Sequence, residues 1–145
     1  HLILNKLLKE YKISFKLRPH PASFKKKEIS LSELKKENIP VDNLKYIDFQ
    51  KYDFLISDWS GIFIEYALIF RRRAFLINTH KKIGNREYFK LENKPIEISL
   101  RNTLARSFEI SEIPEIIKEI LSQKNLQENK DSNNEIDKII KSNFY

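Results

Sequence analysis

The chain has 145 residues, of which 41% are apolar and 12% aromatic, so it is long enough to bury a core of its own. It contains no cysteine and three scattered histidines, which excludes disulfides and thiolate metal sites and argues against a zinc cluster. The formal net charge of +7 fits either the lysine-rich usage of AT-rich genomes or an anionic partner, such as a nucleotide, a phosphorylated polymer or an acidic membrane.

The N-terminal part of the chain predicts a strand that ends at a pair of prolines. Residues Lys12 to Arg18 alternate polar and apolar side chains with a period of two, as a half-buried strand does. Pro19 and Pro21 stop this strand, because proline cannot continue a ladder and restricts the residue before it. His20 lies between them in an extended, rigid loop. The other elements predicted here are a helix over 1–11, a helix over 30–38 and a short strand within 41–48.

The middle of the chain predicts a strand, a polar turn and a helix in direct succession. A mainly apolar run over 54–57 meets D-W-S-G at 58–61, and a helical segment follows up to Phe70. Because the first N–H groups of a helix are unpaired and its dipole favours negative charge, this unit is typical of half of a phosphate site. We expect Ser60 to cap the helix and Gly61 to let a phosphate approach the backbone.

Helices and strands continue to alternate in the C-terminal part of the chain, which predicts an α/β fold with a mainly parallel sheet. We expect a Rossmann-like parallel sheet flanked by helices over 1–125, and a polar linker with a C-terminal helix over 126–145. The elements predicted here are a strand over 74–78, a ligand-facing loop over 79–94, a short strand over 96–100, a helical turn over 101–106, a helix over 111–123, a polar linker over 127–134 and a small helix over 135–144.

Two of the predicted loops are expected to meet. The carboxyl ends of parallel strands open on one edge of a sheet, so Arg18 and His20 should face Asp58 and Ser60. His20 can then donate to a phosphate oxygen, and Asp58 can orient Ser60 or bind a ribose or acceptor hydroxyl. Each residue also has a purely structural interpretation, with His20 as a surface histidine in a proline turn and with Asp58 and Ser60 as local caps.

Two short motifs resemble a known family. R-P-H-P at 18–21, followed after a spacer by Y-D-F-L-I-S-D-W-S-G-I-F-I-E-Y-A at 52–67, resembles the CDP-glycerol glycerophosphotransferase family, the teichoic-acid polymerase and primase type of enzyme. I-G-N-R-E-Y at 83–88 and P-I-E-I-S-L-R at 95–101 are similar to the variable loop and the following segment of some bacterial members. The resemblance covers roughly Leu7 to Lys118.

The resemblance implies a GT-B architecture of two Rossmann-like domains, of which this chain would be the C-terminal, donor-binding half. The chain contains no methionine, and we expect an N-terminal acceptor domain with the family's histidine base to precede it. The family transfers glycerol phosphate from CDP-glycerol to an acceptor hydroxyl and releases CMP. The resemblance further implies a phosphopolymer or glycan acceptor, a cytoplasmic location with peripheral contact to the inner, anionic face of the membrane, and neither metal, cofactor nor nucleic acid.

The resemblance also implies the site residues. His20 matches the family's histidine-proline element, and Asp58 and Ser60 match its aspartate-aromatic-serine element, both of which hold the donor's pyrophosphate. His20 and Asp58 are the candidate catalytic residues, and with Arg18, Ser60 and Gly61 they form the candidate substrate-binding set. Gly61 stands where many members have a second serine, so a backbone N–H replaces one hydroxyl donor.

Two other functions stay open. Histidine-proline and serine elements also bind the nucleotide phosphate in GT-B glycosyltransferases, which would use a nucleotide sugar to build a surface polysaccharide. A basic α/β module without enzymatic activity could instead bind a phosphorylated polymer or an acidic membrane surface.

Overall fold

A computed structural model describes residues 2–26, 29–42, 46–80, 90, 92, 95–125, 136–139 and 141–142. The chain divides into two compact units, His1–Asp48 and Phe49–Tyr145, and each has its own elements and core. The assignment of 1–125 and 126–145 to separate segments stays a prediction. The linker predicted over 127–134 lies outside the described residues.

Among the described residues, the first unit contains three short helices and one extended segment. α1 spans Leu2–Glu10, α2 spans Pro21–Lys25 and α3 spans Leu31–Lys36. The strand predicted over 12–18 is extended, but it pairs only at a parallel bridge between Leu17 and Val41 among the described residues. The strand predicted within 41–48 centres on 44–47, of which residues 44 and 45 lie outside the description and Tyr46 and Ile47 form no strand.

A small apolar core holds this unit together. Leu8 of α1, Leu34 of α3 and Ile39 are buried, so each of these two helices contributes one buried apolar side chain. Lys12 and Asn38 follow α1 and α3 with φ of 54° and 51°. Both helices therefore end at a residue in the left-handed conformation, which asparagine tolerates better than most residues do.

The second unit contains a parallel sheet. In the described residues its strands are β1 (Ile56–Ser57), β2 (Ala74–Ile77) and β3 (Ala105–Phe108), in the order β1-β2-β3 and all parallel. The central strand β2 is almost completely buried, as its unbroken apolar sequence predicts for a strand covered on both faces. The predicted α/β class is therefore confirmed, in the form of a small open parallel sheet with flanking helices.

In the described part of this unit, four helices precede or follow these strands. α4 (Ile62–Phe70) connects β1 to β2, α5 (Ile96–Ser99) and α6 (Arg101–Leu104) precede β3, and α7 (Ile113–Asn125) follows it. Short 3₁₀ turns precede β1 and α7. No helix in the described part of the chain is long and apolar enough to cross a membrane.

One predicted strand is wrong. The alternation of I-E-I-S-L over 96–100 predicts a strand, but these residues form α5 and its end. The amides of Ile98 and Leu100 donate to the carbonyls of Pro95 and Ile96, 2.9 Å away in both cases, and Ile96 is 51% exposed. Pro95 is the N-cap of α5, with φ −51° and ψ 139°, and no strand among the described residues pairs with this segment. The helical turn predicted over 101–106 ends at Leu104, and β3 follows directly.

The core of the second unit lies between α4 and the sheet and continues to α7. Phe63, Tyr66 and Ala67 of α4 are buried, and the ring of Tyr66 meets that of Phe49 edge to face at 5.7 Å. The other large side chains of this unit that are fully buried are those of Leu76, Leu104, Phe108, Ile116, Ile117 and Ile136. Residues 136–139 and 141–142 are helical and Ile136 is 1% exposed, so the predicted C-terminal helix does pack back.

Tyr66 predicts a pH-dependent stability. Its hydroxyl donates to the Asp53 carbonyl at 3.0 Å, and burial raises the pKa of this hydroxyl, an effect that Arg72 opposes. An unfolded tyrosine ionises near a pKa of about 10, so above that pH the unfolded chain binds fewer protons than the native one and stability falls. We expect the unfolding free energy of the parent to drop more steeply than that of Tyr66→Phe in urea titrations between about pH 8 and 11. Equal slopes would contradict this.

Candidate functional site

The turn between β1 and α4 contains the D-W-S-G motif. Gly61, rather than Ser60, occupies the N-cap of α4, with φ −68° and ψ −6°, so the predicted cap is wrong by one residue. The Ser60 hydroxyl accepts a long, 3.5 Å hydrogen bond from the Ile62 amide. Because Gly61 has ordinary right-handed dihedrals, its backbone conformation does not require glycine. Close approach of a ligand is the remaining argument for glycine at this position.

The ends of the three strands are linked at one edge of the sheet. The Trp59 indole donates to the Thr79 carbonyl at 2.7 Å, which joins the end of β1 to the end of β2. The Asn78 amide donates to the Phe108 carbonyl at 2.8 Å, and its side-chain NH₂ donates to Glu109 at 2.8 Å. These bonds join β2 to β3. The edge is therefore a connected polar network, as expected where a parallel sheet presents its carboxyl ends.

A buried arginine lies at the centre of this network. Arg101, the first residue of α6, is 5% exposed. Its guanidinium donates to the carbonyls of Asp58 at 2.7 Å and Ile77 at 3.0 Å, and to the side-chain oxygen of Asn78 at 3.0 Å. Its central carbon lies 4.0 Å from the centre of the Trp59 ring, within the range of a cation–π contact.

The charge of Arg101 is only partly compensated. All its hydrogen-bond acceptors within the described residues are uncharged oxygens, and the Nε–H is buried without a partner there. Burial lowers the pKa of the guanidinium, while the nearby charge of Asp58 raises it. Arginine stays protonated in any case. The strand ends therefore surround a desolvated cation, which makes this edge favourable for an anion.

A carboxylate stands beside the same turn. A Cβ placed on Gly61 would meet the Glu97 side chain, with Cγ at 3.4 Å and Oε1 at 3.5 Å, which is ordinary van der Waals contact. Glu97 belongs to α5, the segment that the sequence pattern predicted as a strand. This acidic neighbour of Gly61 was therefore missed. The turn therefore has both the buried cation Arg101 and the carboxylate of Glu97 among its neighbours.

Two of the candidate residues belong to the first unit. Arg18 forms a 3.4 Å ion pair with the buried Asp42. His20 is extended, at φ −65° and ψ 138°, and is the N-cap of α2, with its Nδ1 accepting from the Ala22 amide at 3.2 Å. A nitrogen that accepts a hydrogen bond carries no proton, so the ring proton lies on Nε2. His20 therefore presents Nε2–H as its donor.

Asp58, Ser60 and Gly61 thus lie together in the second unit, whereas Arg18 and His20 lie in the first. The convergence of the two loops on one ligand stays a prediction. The loop predicted over 79–94 falls mostly on residues 81–89, outside the described part. No group of histidine, aspartate and glutamate side chains suited to a metal ion occurs among the described residues.

Ser60→Ala is expected to change stability little. A hydroxyl acting as a true N-cap contributes about 1 kcal/mol, but the 3.5 Å bond to Ile62 is too long to be strong. We expect the unfolding free energy to change by less than ~0.5 kcal/mol. Urea denaturation of the parent and of Ser60→Ala measures this difference. A loss of about 1 kcal/mol in unfolding free energy would show that the Ser60 hydroxyl acts mainly as a helix cap.

In comparisons with known proteins, no protein-family model, no curated protein and no solved structure matches this chain. The resemblance to the glycerophosphotransferases therefore rests on the short sequence motifs alone.

Proposed function

We propose that this chain binds the diphosphate of a nucleotide donor and is the donor-binding part of a transferase. The proposed enzyme moves glycerol phosphate from CDP-glycerol to an acceptor hydroxyl and releases CMP. The observation that carries the proposal is the D-W-S-G turn, which leads from the carboxyl end of a parallel strand into the N-terminus of α4. In open α/β sheets this is the place where phosphates bind.

The chemistry of the turn supports an anionic ligand. The first N–H groups of α4 point out of the helix and carry its positive dipole end. The Ser60 oxygen accepts from Ile62, which leaves the hydroxyl proton for a phosphate oxygen. Arg101 adds a buried positive charge whose described acceptors are all neutral. Fixed donors of this kind stabilise charge without reorganising during a reaction.

His20 is the proposed second contact to the donor. Its Nδ1 is occupied by the Ala22 amide, which fixes the orientation of the ring and leaves Nε2–H to donate. A ring held in one orientation loses little freedom when a ligand binds, so it is a well-placed donor.

The proposed reaction is an in-line displacement at phosphorus. An acceptor hydroxyl of a phosphopolymer or glycan attacks the phosphorus that bears glycerol, the bond from that phosphorus to the bridging oxygen breaks, and CMP leaves with the bonding electrons. The acceptor proton passes to a base, which we assign to an N-terminal acceptor domain of a GT-B enzyme. The described residues contribute positioning and stabilise the charge that develops on CMP.

A second candidate is a GT-B glycosyltransferase that uses a nucleotide sugar. The Glu97 side chain beside Gly61 favours it, because a carboxylate repels a phosphate but accepts hydrogen bonds from sugar hydroxyls. Bond cleavage would then occur at the sugar carbon.

With either donor, an enzyme that extends a surface polymer would work at the inner face of the membrane. The chain's net charge of +7 suits peripheral contact with anionic lipid there.

The donor assay separates these candidates. Full-length protein is incubated with CDP-glycerol and, in parallel, with a panel of nucleotide sugars, and nucleotide release is followed. We expect release of CMP from CDP-glycerol when an acceptor is present.

Titration of the 145-residue chain with CMP, UMP and AMP at two salt concentrations tests the remaining alternative. A non-enzymatic anion-binding module would show no preference for cytidine, and its affinity would depend steeply on salt.

His20→Ala is expected to lower the turnover of the full-length enzyme by roughly 10² to 10³, the usual loss when one preorganised donor is removed. His20→Asn is the matched control, because asparagine keeps an oxygen that can cap α2 but has no donor at the Nε2 position. We expect both variants to lose a similar amount of turnover. If His20→Asn keeps the parent rate, His20 acts only as a helix cap, and unchanged turnover in both variants would remove His20 from the mechanism.

A further inference from the structure

We infer that Arg101 is the positioning residue of the β1–α4 turn: its guanidinium holds Asp58 and Trp59 in the arrangement that presents Ser60 and the α4 amides to the donor's phosphates. The inference rests on the proposed function for its ligand. Its structural part stands on the contacts of Arg101, a residue that lies in the segment 95–101 but has no role in the site implied by the resemblance.

The contacts of Arg101 join three separate parts of the second unit. It donates to the carbonyl of Asp58 at the end of β1, and to the carbonyl of Ile77 and the side chain of Asn78 at the end of β2. Arg101 itself begins α6. One side chain thus connects residues that are 43 and 24 positions away in sequence. The planar fork of a guanidinium suits this, because its donors have fixed directions.

Trp59 is held from two directions. The guanidinium of Arg101 covers the face of its ring at 4.0 Å, and the indole N–H is bound to the Thr79 carbonyl at 2.7 Å. Asp58 before it is tied through its carbonyl, so the backbone that enters Ser60 is restrained at two consecutive residues. A fixed backbone here sets where the Ser60 hydroxyl and the first α4 amides point. Such restraint is what a preorganised phosphate site needs.

Arg101 acts through the turn rather than by touching the ligand. It is 5% exposed, and its terminal nitrogens donate to protein oxygens. A lysine at this position keeps the positive charge but cannot reproduce three directed bonds and the stacking on Trp59. Arg101→Lys therefore separates positioning from charge. If only the charge mattered, lysine would preserve ligand binding.

Intrinsic fluorescence tests the positioning directly, because Trp59 is the only tryptophan in the chain. In the 145-residue chain, Arg101→Lys is expected to make Trp59 more accessible to acrylamide quenching while the far-ultraviolet circular dichroism stays unchanged. The dissociation constant for CMP is expected to rise by about 10-fold or more, with the same dependence on salt as in the parent. Arg106→Lys is the matched control, since Arg106 is an exposed arginine of β3 that pairs with Glu119, and it should change neither measurement.

Each outcome decides a different point. Unchanged Trp59 quenching, or parent-like CMP affinity in Arg101→Lys, would overturn the inference. A parent chain that binds no cytidine nucleotide would contradict the proposed function, while the quenching would still decide whether Arg101 fixes the turn. If Arg101→Lys does not fold, Asn78→Ala takes its place, because it removes one acceptor of Arg101. It should show the same two changes at smaller size, and their absence would overturn the inference.

Discussion

The carboxyl edge of the sheet depends on one buried cation. Removing a guanidinium from water is costly, and Arg101 offsets part of this cost with hydrogen bonds to two backbone carbonyls and one amide oxygen and with the face of Trp59. Its Nε–H has no partner among the described residues. Arg101 uses the carbonyl groups that β1 and β2 present where their ladders end. The same contacts that stabilise the arginine therefore join the strand ends and leave a positive charge beneath them.

This arrangement explains why an anion site is the favoured interpretation of the turn. The dipole of α4, the Ser60 hydroxyl and Arg101 all favour negative charge near Gly61, whereas Glu97 opposes it from α5. A balance of this kind suits a ligand with both charge and hydroxyl groups, such as a nucleoside diphosphate ester. A simple phosphate would gain from the first three groups and be repelled by the fourth.

The first unit contributes a different kind of preorganisation. The R-P-H-P motif is more than a stiff loop, because Pro21 begins α2 and His20 caps it with its own ring nitrogen. This interaction selects one tautomer and one ring orientation. Arg18, in contrast, is engaged by the buried Asp42. Within this motif His20 is therefore the better-prepared donor for a ligand, and Arg18 has a structural role besides any contact to substrate.

The sequence by itself determined the parallel α/β class, the β1–α4 unit and the buried strand β2, because unbroken apolar runs and a polar turn before a helix are local signals. It misassigned α5, because alternating apolar and polar residues over five positions fit a strand as well as a short helix. Among the described residues, no strand pairs with this segment, and it forms a helix. Arg101 and Glu97 lie in the segment 95–101, which the resemblance includes, but nothing in the sequence assigns a role to either of them. Only the tertiary structure decided their roles, because burial and hydrogen-bond partners 23 to 43 residues away arise only once the strands have paired.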